Sequence, residues 1–350
     1  MTNGDEKPKR KCGTMQYHKQ LVEKNPENYV DNRKDIERLT SMHIKQTSRA
    51  GLRRGIATIP CVIHVVYSTP EQNISDEQIA SQFKVLNVCY RNLDQDAHNV
   101  PAPFGPLRSD AQIEFVLAKR DPNGKPTTGI TRTKTNTESF MDDDNVKFSS
   151  KGGIDAWPSD KYLNIWVCKL GGGLLGYAQF PGGPRKTDGV VITYSGFGTI
   201  GTATDPFNGG KTAVHEIGHW LNLLHIWGDD GGGCEGSDNV DDTPNCADAN
   251  YQKPTFPHVS CNNGPNGDMF MNYMDYTDDS AMYMFTAGQV KRIDAAMNGP
   301  RASLLLSDGL KSPVIEDFAD RAKGYHKTTK VFNGVEWVHR DEIDYIPEGF

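Results

Sequence analysis

The chain has 350 residues, of which 24% are charged, and its formal net charge is −7 at pH 7. This length allows one large domain or two smaller ones, and the acidic balance excludes the basic surface that nucleic-acid binding requires. No apolar run approaches the roughly 20 residues needed to span a bilayer, so we expect no membrane insertion.

Residues 1–54 form a charged amino-terminal segment. A helix is predicted around residues 32–44, and the segment ends in the polar, Arg-rich stretch QTSRAGLRRG, which is typical of sites where peptidases cut. The first twenty residues are charged and lack an apolar core, so they predict no signal peptide. We therefore expect a detachable segment that precedes the first folded domain.

The following residues alternate strand and helix patterns. The stretch IATIPCVIHVVY is rich in β-branched residues and predicts a buried strand. A helix follows, with Ser75 as its N-cap and Gln78 as the partner in a capping box. Further strands are predicted at residues 113–118, 162–168, 174–180 and 189–194. This order predicts a mixed sheet with helices packed on it.

The stretch HEIGHWLNLLH contains three histidines and a glutamate. His215 and His219 are four residues apart, so a helix presents both imidazoles on one face. Glu216 lies beside the first histidine, where its carboxylate can act as a general base on a water at a metal. Catalytic zinc takes three protein ligands, so this pattern predicts a third ligand elsewhere.

His225 follows His219 by six residues, which on a continuous helix would point it away from the first pair. The helix must therefore end between them. Asn222 stands where related motifs have glycine, and asparagine tolerates the left-handed conformation that such a turn needs. A bare H-E-x-x-H also occurs by chance in helices with surface or core histidines. The third histidine and the turn residue favour a zinc site.

The region beyond the histidines is rich in Asp, Asn, Gly and Pro and has little periodicity, which is typical of a functional loop or one held by ligands. The stretch FTAGQVKRIDAAM then predicts a helix with Thr286 and Gln289 as a second capping box. After about Leu310 the sequence is polar and without pattern, so we expect a removable or disordered tail.

The stretches HEIGHWLNLLHIWGD, GDMFMNYMDYTDDSAMYMFTAGQ and RKCGT resemble the pappalysin family of metzincin zinc endopeptidases. The resemblance runs from Cys12 to about Ser303 and implies an α+β fold: a twisted, mixed five-stranded sheet with an active-site helix, then a loop-rich subdomain with one long helix. It implies four parts: a pro-segment with a cysteine switch (1–54), a catalytic subdomain (55–226), a C-terminal subdomain (227–310) and a polar tail (311–350).

The resemblance also implies a site for one catalytic zinc, held by His215, His219 and His225, with Glu216 as the general base. Met274 in NYMDY would form the turn beneath the metal, and Tyr276 would donate a hydrogen bond to the oxyanion. A methionine and a tyrosine in a loop are otherwise more often core residues.

Specificity is assigned by the resemblance to Asp279. This acid would line the pocket that follows the cut bond and bind Arg, or Lys, through charge-assisted hydrogen bonds, bidentate with Arg. The sequence alone does not choose among Asp275, Asp278 and Asp279. The expected partners are therefore proteins or peptides with Arg or Lys, paired as an extra strand along the edge strand at 174–180.

Cys12 in RKCGT resembles a cysteine switch, in which a thiolate binds the open zinc position. A lone cysteine in a flexible arm is otherwise usually a free thiol. The stretch LRRG offers a bond between Arg53 and Arg54 that the expected specificity would cut. We therefore expect a latent zymogen whose activation can be autocatalytic.

The loop GDDGGGCEGSDNVDDTPNCADAN is dense in carboxylates, so it is either solvated and mobile or folded around calcium. The resemblance implies one or two calcium ions here, with these expected ligands: Asp238, the Val240 carbonyl, Asp241 and Thr243. It also implies a Cys234–Cys261 disulfide, with Cys246 left without a partner. Disulfide and calcium both favour a secreted protein, although no signal peptide is predicted.

The function expected from these residues is that of a zinc- and calcium-dependent endopeptidase made as a latent zymogen. One alternative is a non-catalytic, metal-stabilised protein-binding module on the same scaffold. Another is a metal hydrolase that acts on other bonds. The presence of Glu216 and all three histidines favours the first. The sequence does not fix the oligomeric state, and a monomer is the expectation.

Overall fold

The computed structural model describes residues 8–50 and 55–312, with the short segments 315–316, 329–332 and 337–339. The expected activation residues Arg53 and Arg54 lie outside these ranges. The helices are α1 (Thr14–Lys24), α2 (Pro26–Ala50), α3 (Asp76–Tyr90), α4 (Lys211–Trp220) and α5 (Ala287–Asn298). The first six strands are β1 (Ala57–Tyr67), β2 (Ile113–Leu117), β3 (Ile130–Lys134), β4 (Leu163–Cys168), β5 (Gly176–Ala178) and β6 (Val190–Thr193).

These six strands form one mixed sheet in the order β2-β1-β4-β6-β5, and β3 also pairs with β1. All pairs are parallel except β5 with β6, so β5 is an antiparallel edge strand. The predicted count of five strands was wrong by one. β1 is long enough for β2 to pair with Ala57–Cys61 and β3 with Ile63–Tyr67. The sequence of β3, ITRTK, is mostly polar and gave no strand signal.

The two faces of the sheet are covered by different parts of the chain. One face packs its aliphatic side chains, such as Ile63 and Ile165, against Leu86 of α3 and Ile217 of α4. The opposite face packs Trp166 and other residues against the amino-terminal helices α1 and α2. From these helices the buried members are Tyr17, Leu21 and Tyr29. The amino-terminal segment is thus part of the folded core in this state.

Helix boundaries agree with the sequence signals in most places. Thr286 and Gln289 form the predicted capping box of α5. At α3, Ser75 accepts from the Gln78 backbone as predicted, but the Gln78 side chain instead donates to carbonyls such as that of Phe197. Helix α2 is longer than predicted at both ends, since it begins at Pro26 and ends at Ala50. Proline fits a first helical turn, where its missing N–H would be unpaired.

The C-terminal subdomain consists largely of loops beside α5. Strands β7 (Tyr251–Gln252) and β8 (Tyr276–Thr277) pair in parallel, and a disulfide joins Cys234 to Cys261. Cys246 is a buried free thiol. The tail, expected to be removable or disordered, contains an antiparallel sheet of three short strands: β9 (Ile315–Glu316), β10 (Thr329–Phe332) and β11 (Trp337–His339). Within the described ranges, no helix has both the length and the apolar character to cross a bilayer.

Candidate metal centre and active-site cleft

Helix α4 presents the first two histidines and the glutamate of the motif. His215, Glu216 and His219 are all buried, with at most 1% of their surface exposed. The four-residue spacing places the His215 and His219 Nε2 atoms 3.2 Å apart. Helix geometry thus brings the predicted pair of ligands to one point.

The turn after α4 brings in the third histidine. Asn222 has φ of 74°, the left-handed conformation expected from the sequence. The Asn222 N–H donates to the His219 carbonyl at 2.9 Å and the Leu223 N–H to that of Gly218 at 2.9 Å, which together form a Schellman motif. The reversed chain places His225 Nε2 only 3.0 Å from His219 Nε2.

Each of the three imidazoles is oriented through its Nδ1 atom. His215 Nδ1 lies 2.8 Å from the Tyr273 carbonyl, His219 Nδ1 lies 2.8 Å from the Leu223 carbonyl, and His225 Nδ1 lies 2.7 Å from Asp229. Carbonyl oxygens can only accept hydrogen bonds, so the Nδ1 atoms of His215 and His219 carry the proton. The Nε2 atoms of these rings keep a lone pair for a metal. Burial lowers the pKa of His215 and His219 well below the usual range, which keeps them neutral.

Three Nε2 atoms this close would repel one another unless a cation lies between them, so the donor set fits a zinc ion. Cys12 adds a fourth donor, because its Sγ and one ligand atom from each histidine lie within 4.8 Å of one another. Cys12 therefore reaches the metal centre, as the cysteine-switch prediction requires. Burial and the nearby Glu216 raise the pKa of its thiol; a bound metal favours the thiolate.

The carboxylate of Glu216 is held by the amino-terminal segment. Thr14 Oγ1 donates to Glu216 Oε2 at 2.8 Å, and the Cys12 thiol donates to the same oxygen at 3.4 Å. Burial raises the pKa of Glu216 to about 7, although both hydrogen bonds act in the opposite direction. A carboxylate with such a pKa suits proton transfer near neutral pH.

Met274 lies beneath α4 and is fully buried. The close approach depends on Gly218, because a Cβ at that position would lie 2.5 Å from Met274 Sδ. Tyr276 faces the histidines from the side, with its ring centroid 5.6 Å from that of His215 and 4.9 Å from that of His225. Both residues predicted beside the metal centre are therefore adjacent to it.

Asp279 forms the floor of a buried slot, and Arg10 of the amino-terminal segment fills it. Arg10 Nη2 donates to Asp279 Oδ1 at 2.5 Å, and the other nitrogens of its guanidinium donate to Thr212 Oγ1 and the Thr277 carbonyl. The second oxygen of Asp279 accepts the backbone N–H groups of Gly209 and Lys211. The guanidinium fork of Arg10 thus reaches three separate acceptors, of which Asp279 supplies one.

The segment between Arg10 and Thr14 lies along the edge strand β5. The Gly13 N–H donates to the Gly176 carbonyl, and Thr14 Oγ1 accepts from the Ala178 N–H, both at 2.8 Å. The bridge between Cys12 and Gly176 is parallel. The edge predicted to pair with substrate is therefore occupied by the chain's own amino-terminal segment.

Three of the four expected calcium ligands lie together. Thr243 Oγ1 donates to Asp238 Oδ2 at 2.7 Å and contacts the Val240 carbonyl at 2.9 Å. Burial raises the pKa of Asp238 to about 7. Asp241 is exposed, and no hydrogen bond joins it to this group in the described residues. Across those residues, the histidine–cysteine cluster alone brings three or more His, Cys, Asp or Glu side chains close enough to share a metal.

The contacts of three residues at the site, Arg10, Thr14 and Asp229, were not predicted. Arg10 and Thr14 flank Cys12 in RKCGT. Because the pocket at Asp279 was expected to prefer arginine, Arg10 could have been inferred as the residue that fills it. Thr14 carried no such signal. Asp229, which contacts His225, was also missed, although it stands four residues after the histidine.

Similarities to known proteins extend over most of the chain. Residues 148–298 match the family model described as "Pregnancy-associated plasma protein-A". An extracellular metalloprotease of Pyricularia oryzae is 34% identical over 253 residues, covering 69% of this chain and 76% of the relative. An extracellular metalloprotease of Arthroderma benhamiae is 33% identical over 267 residues, covering 73% of this chain and 83% of the relative. A Tannerella forsythia promirolysin mutant superposes with a TM-score of 0.78 at 48% identity, over 85% of this chain and 97% of that one. Mature mirolysin of Tannerella forsythia in complex with a cleaved peptide superposes with a TM-score of 0.71 at 53% sequence identity, over 73% of this chain and 97% of that one.

Proposed function

The chain belongs to the pappalysin family of metallopeptidases, and from this premise we propose that it is a latent zinc endopeptidase that cleaves peptide bonds before arginine. In this proposal His215, His219 and His225 bind zinc, Glu216 is the general base, and residues 1–54 are a pro-segment with Cys12 as the latency ligand. The mature enzyme would act on protein or peptide substrates.

The observation that carries the proposal is the position of Arg10 beside Cys12. One arginine of the amino-terminal segment fills the Asp279 slot while the cysteine two residues later reaches the three histidines. A buried carboxylate with two additional acceptors suits the planar guanidinium fork. Lysine carries its three N–H donors on one side-chain nitrogen, so it cannot match acceptors that are spaced around three separate guanidinium nitrogens. We therefore propose that arginine is preferred over lysine.

The mechanism follows from the residues around the metal centre. A bound zinc supplies a Lewis acid that polarises the scissile carbonyl and lowers the pKa of the attacking water. Glu216 accepts the proton of this water and transfers it to the leaving amine. Tyr276 donates to the oxyanion from the side of the histidines. The backbone of β5 pairs with the substrate, and Asp279 orients the arginine that follows the cut bond.

We further propose that calcium binds at the Asp238, Val240 and Thr243 oxygens, and that the enzyme acts outside the cytosol. Oxygen donors on a loop suit calcium, and the charged form of a buried Asp238 requires a positive partner. The relatives are named as extracellular enzymes, and the Cys234–Cys261 disulfide is compatible with an oxidising compartment.

The test is intact-mass and N-terminal analysis of the full-length chain after incubation with zinc and calcium, with Glu216→Ala in parallel. We expect the wild type alone to acquire a new N-terminus at Arg53 or Arg54, while both proteins retain zinc. Cleavage by the variant at the wild-type rate would exclude Glu216 as the base. Cleavage at bonds not followed by arginine would exclude the proposed specificity.

A further inference from the structure

Helix α2 of the amino-terminal segment packs behind the turn that connects His219 to His225. Asn222, the left-handed residue of this turn, is fully buried. Its Nδ2 donates to Glu37 Oε1 at 3.0 Å, and its Oδ1 accepts from Arg33 Nη1 at 2.7 Å. Within the described part of the chain, the hydrogen bonds of this amide all go to α2, including a longer one to Thr40.

Arg292 of α5 contacts the same carboxylate from the other side. Its Nη2 lies 3.0 Å from both oxygens of Glu37, and the guanidinium also donates to the Asn222 backbone carbonyl. The Arg292 side chain is only 2% exposed. A buried cation is costly without a charged partner, and Glu37 supplies one from a segment that is proposed to leave.

The backbone of the turn does not require the asparagine side chain. Glycine adopts a φ of 74° more readily than asparagine does. We therefore look for the role of the Asn222 side-chain amide in its contacts with α2. We infer that Asn222 and Arg292 form a carboxylate-binding site behind the metal centre, and that Glu37 on α2 is its ligand. This site anchors the amino-terminal segment independently of Cys12. The inference rests on the proposed function, because the anchored segment is the proposed pro-segment.

Neighbouring contacts identify the ligand as a carboxylate carried on a helix. Arg33, one turn before Glu37, donates to the Pro181 carbonyl at 3.1 Å and lies 4.9 Å from the Phe180 ring centroid. The Phe180 ring in turn lies 5.4 Å from that of His219. Two side chains on one face of α2 therefore contact the turn and the chain just beyond β5 together. A small carboxylate in solution could replace Glu37 but would not supply the contacts of Arg33.

Glu37→Gln tests the anchor in the full-length chain, with Asp35→Asn as the matched control. Asp35 is an exposed acid on the same helix that pairs with Arg38. Both positions lie in the segment expected to leave, so the released peptidase has the same sequence in each case. We expect Glu37→Gln to shorten the half-time of activation at least tenfold, and Asp35→Asn to stay within twofold of wild type. Activity on an arginine-containing fluorogenic peptide and intact mass report this half-time.

A second measurement separates the anchor from the proposed function. Hydrogen exchange of α2 is measured in the full-length Glu216→Ala protein, which is not expected to process itself. We expect Glu37→Gln and Asn222→Gly each to accelerate α2 exchange at least tenfold. The double variant should add less than the sum, because both substitutions act on the same Asn222–Glu37 contact. Unchanged exchange in Glu37→Gln would overturn the inference even if the chain activates. A chain that shows no processing but does show the faster exchange would overturn the proposed function alone.

Discussion

The Thr14 hydroxyl lies between two groups that peptide hydrolysis is proposed to use: it donates to Glu216 at 2.8 Å and accepts from the Ala178 N–H at 2.8 Å. The general base and a backbone donor of the edge strand are therefore both engaged by one residue of the amino-terminal segment. The proposed latency at this site thus includes contacts beyond Cys12.

Thr14→Val removes this hydroxyl and keeps the shape of the side chain. We expect the latent form to lose about 1–3 kcal/mol, because the Ala178 N–H loses this acceptor and the buried carboxylate keeps only the longer hydrogen bond from Cys12. Activation should therefore be roughly tenfold faster. The half-time of the mass change in the full-length chain measures this. Thr47→Val is the control, since its hydroxyl contacts carbonyls of its own helix. Equal half-times in all three proteins would contradict the role of Thr14.

Asp279→Asn keeps an acceptor for the Gly209 N–H but removes the negative charge from the slot. Because charge-assisted hydrogen bonds contribute about 1.5–3 kcal/mol, we expect kcat/KM for peptides with arginine after the cut bond to fall about 10- to 100-fold. Peptides with alanine there should be affected far less. Asp278→Asn, at the neighbouring acid, is the control. A variant that retains the preference for arginine would rule out Asp279 as its source.

Asp238 predicts an interaction between calcium and pH. Its pKa is raised by burial to about 7, above the unfolded value near 3.9, so the folded state holds the extra proton. Without calcium, its contribution to stability therefore falls as pH rises from about 4 to 7. We expect calcium to raise the Tm more at pH 8 than at pH 5, and Asp238→Asn to remove most of that difference. Thermal unfolding in chelator and in calcium provides the measurement, and a pH-independent calcium effect would contradict it.

Gly218→Ala tests the packing beneath the metal centre. The added methyl would lie 2.5 Å from Met274 Sδ, so we expect a loss of about 1–3 kcal/mol in the free energy of unfolding and weaker zinc retention. Gly105→Ala is a suitable control, because a Cβ there meets no atom within 4 Å. Denaturant unfolding and metal analysis after dialysis would report the two effects. Wild-type values in both would mean that Met274 moves without penalty.

The metal centre was predictable because its spacing follows from helix geometry. His215 and His219 required only the helical repeat, and His225 required a left-handed turn, which Asn222 adopts. The family supplied the metallopeptidase activity that the motif alone left open. Met274, Tyr276 and Asp279 came from the resemblance. The structure places Met274 against Gly218 of α4 and Tyr276 near two of the histidines, and the roles of all three residues stay predictions.

Contacts between distant segments were much less predictable. The pairing of Glu37 with Arg292 joins residues 255 positions apart, and no periodicity in α2 distinguishes Glu37 from its exposed neighbours. Strand β3 was missed because its polar residues pair only along half of β1. The backbone N–H groups of Gly209 and Lys211 contact one oxygen of Asp279 and leave the other to Arg10, which no local pattern indicated; the bidentate contact with a substrate arginine stays a prediction. These features depend on tertiary structure rather than local sequence.

The parallel bridge between Cys12 and Gly176 fixes the polarity with which the segment crosses the cleft. Along this segment the slot residue, Arg10, precedes the residue at the histidines, whereas the proposed substrates reach the metal first and the slot second. The segment therefore occupies β5 and the Asp279 slot with its amide bonds in the opposite direction to that proposed for substrates. A peptide that copies this direction would compete for the cleft without presenting a bond that the enzyme can cut, which makes it a template for retro-oriented inhibitors.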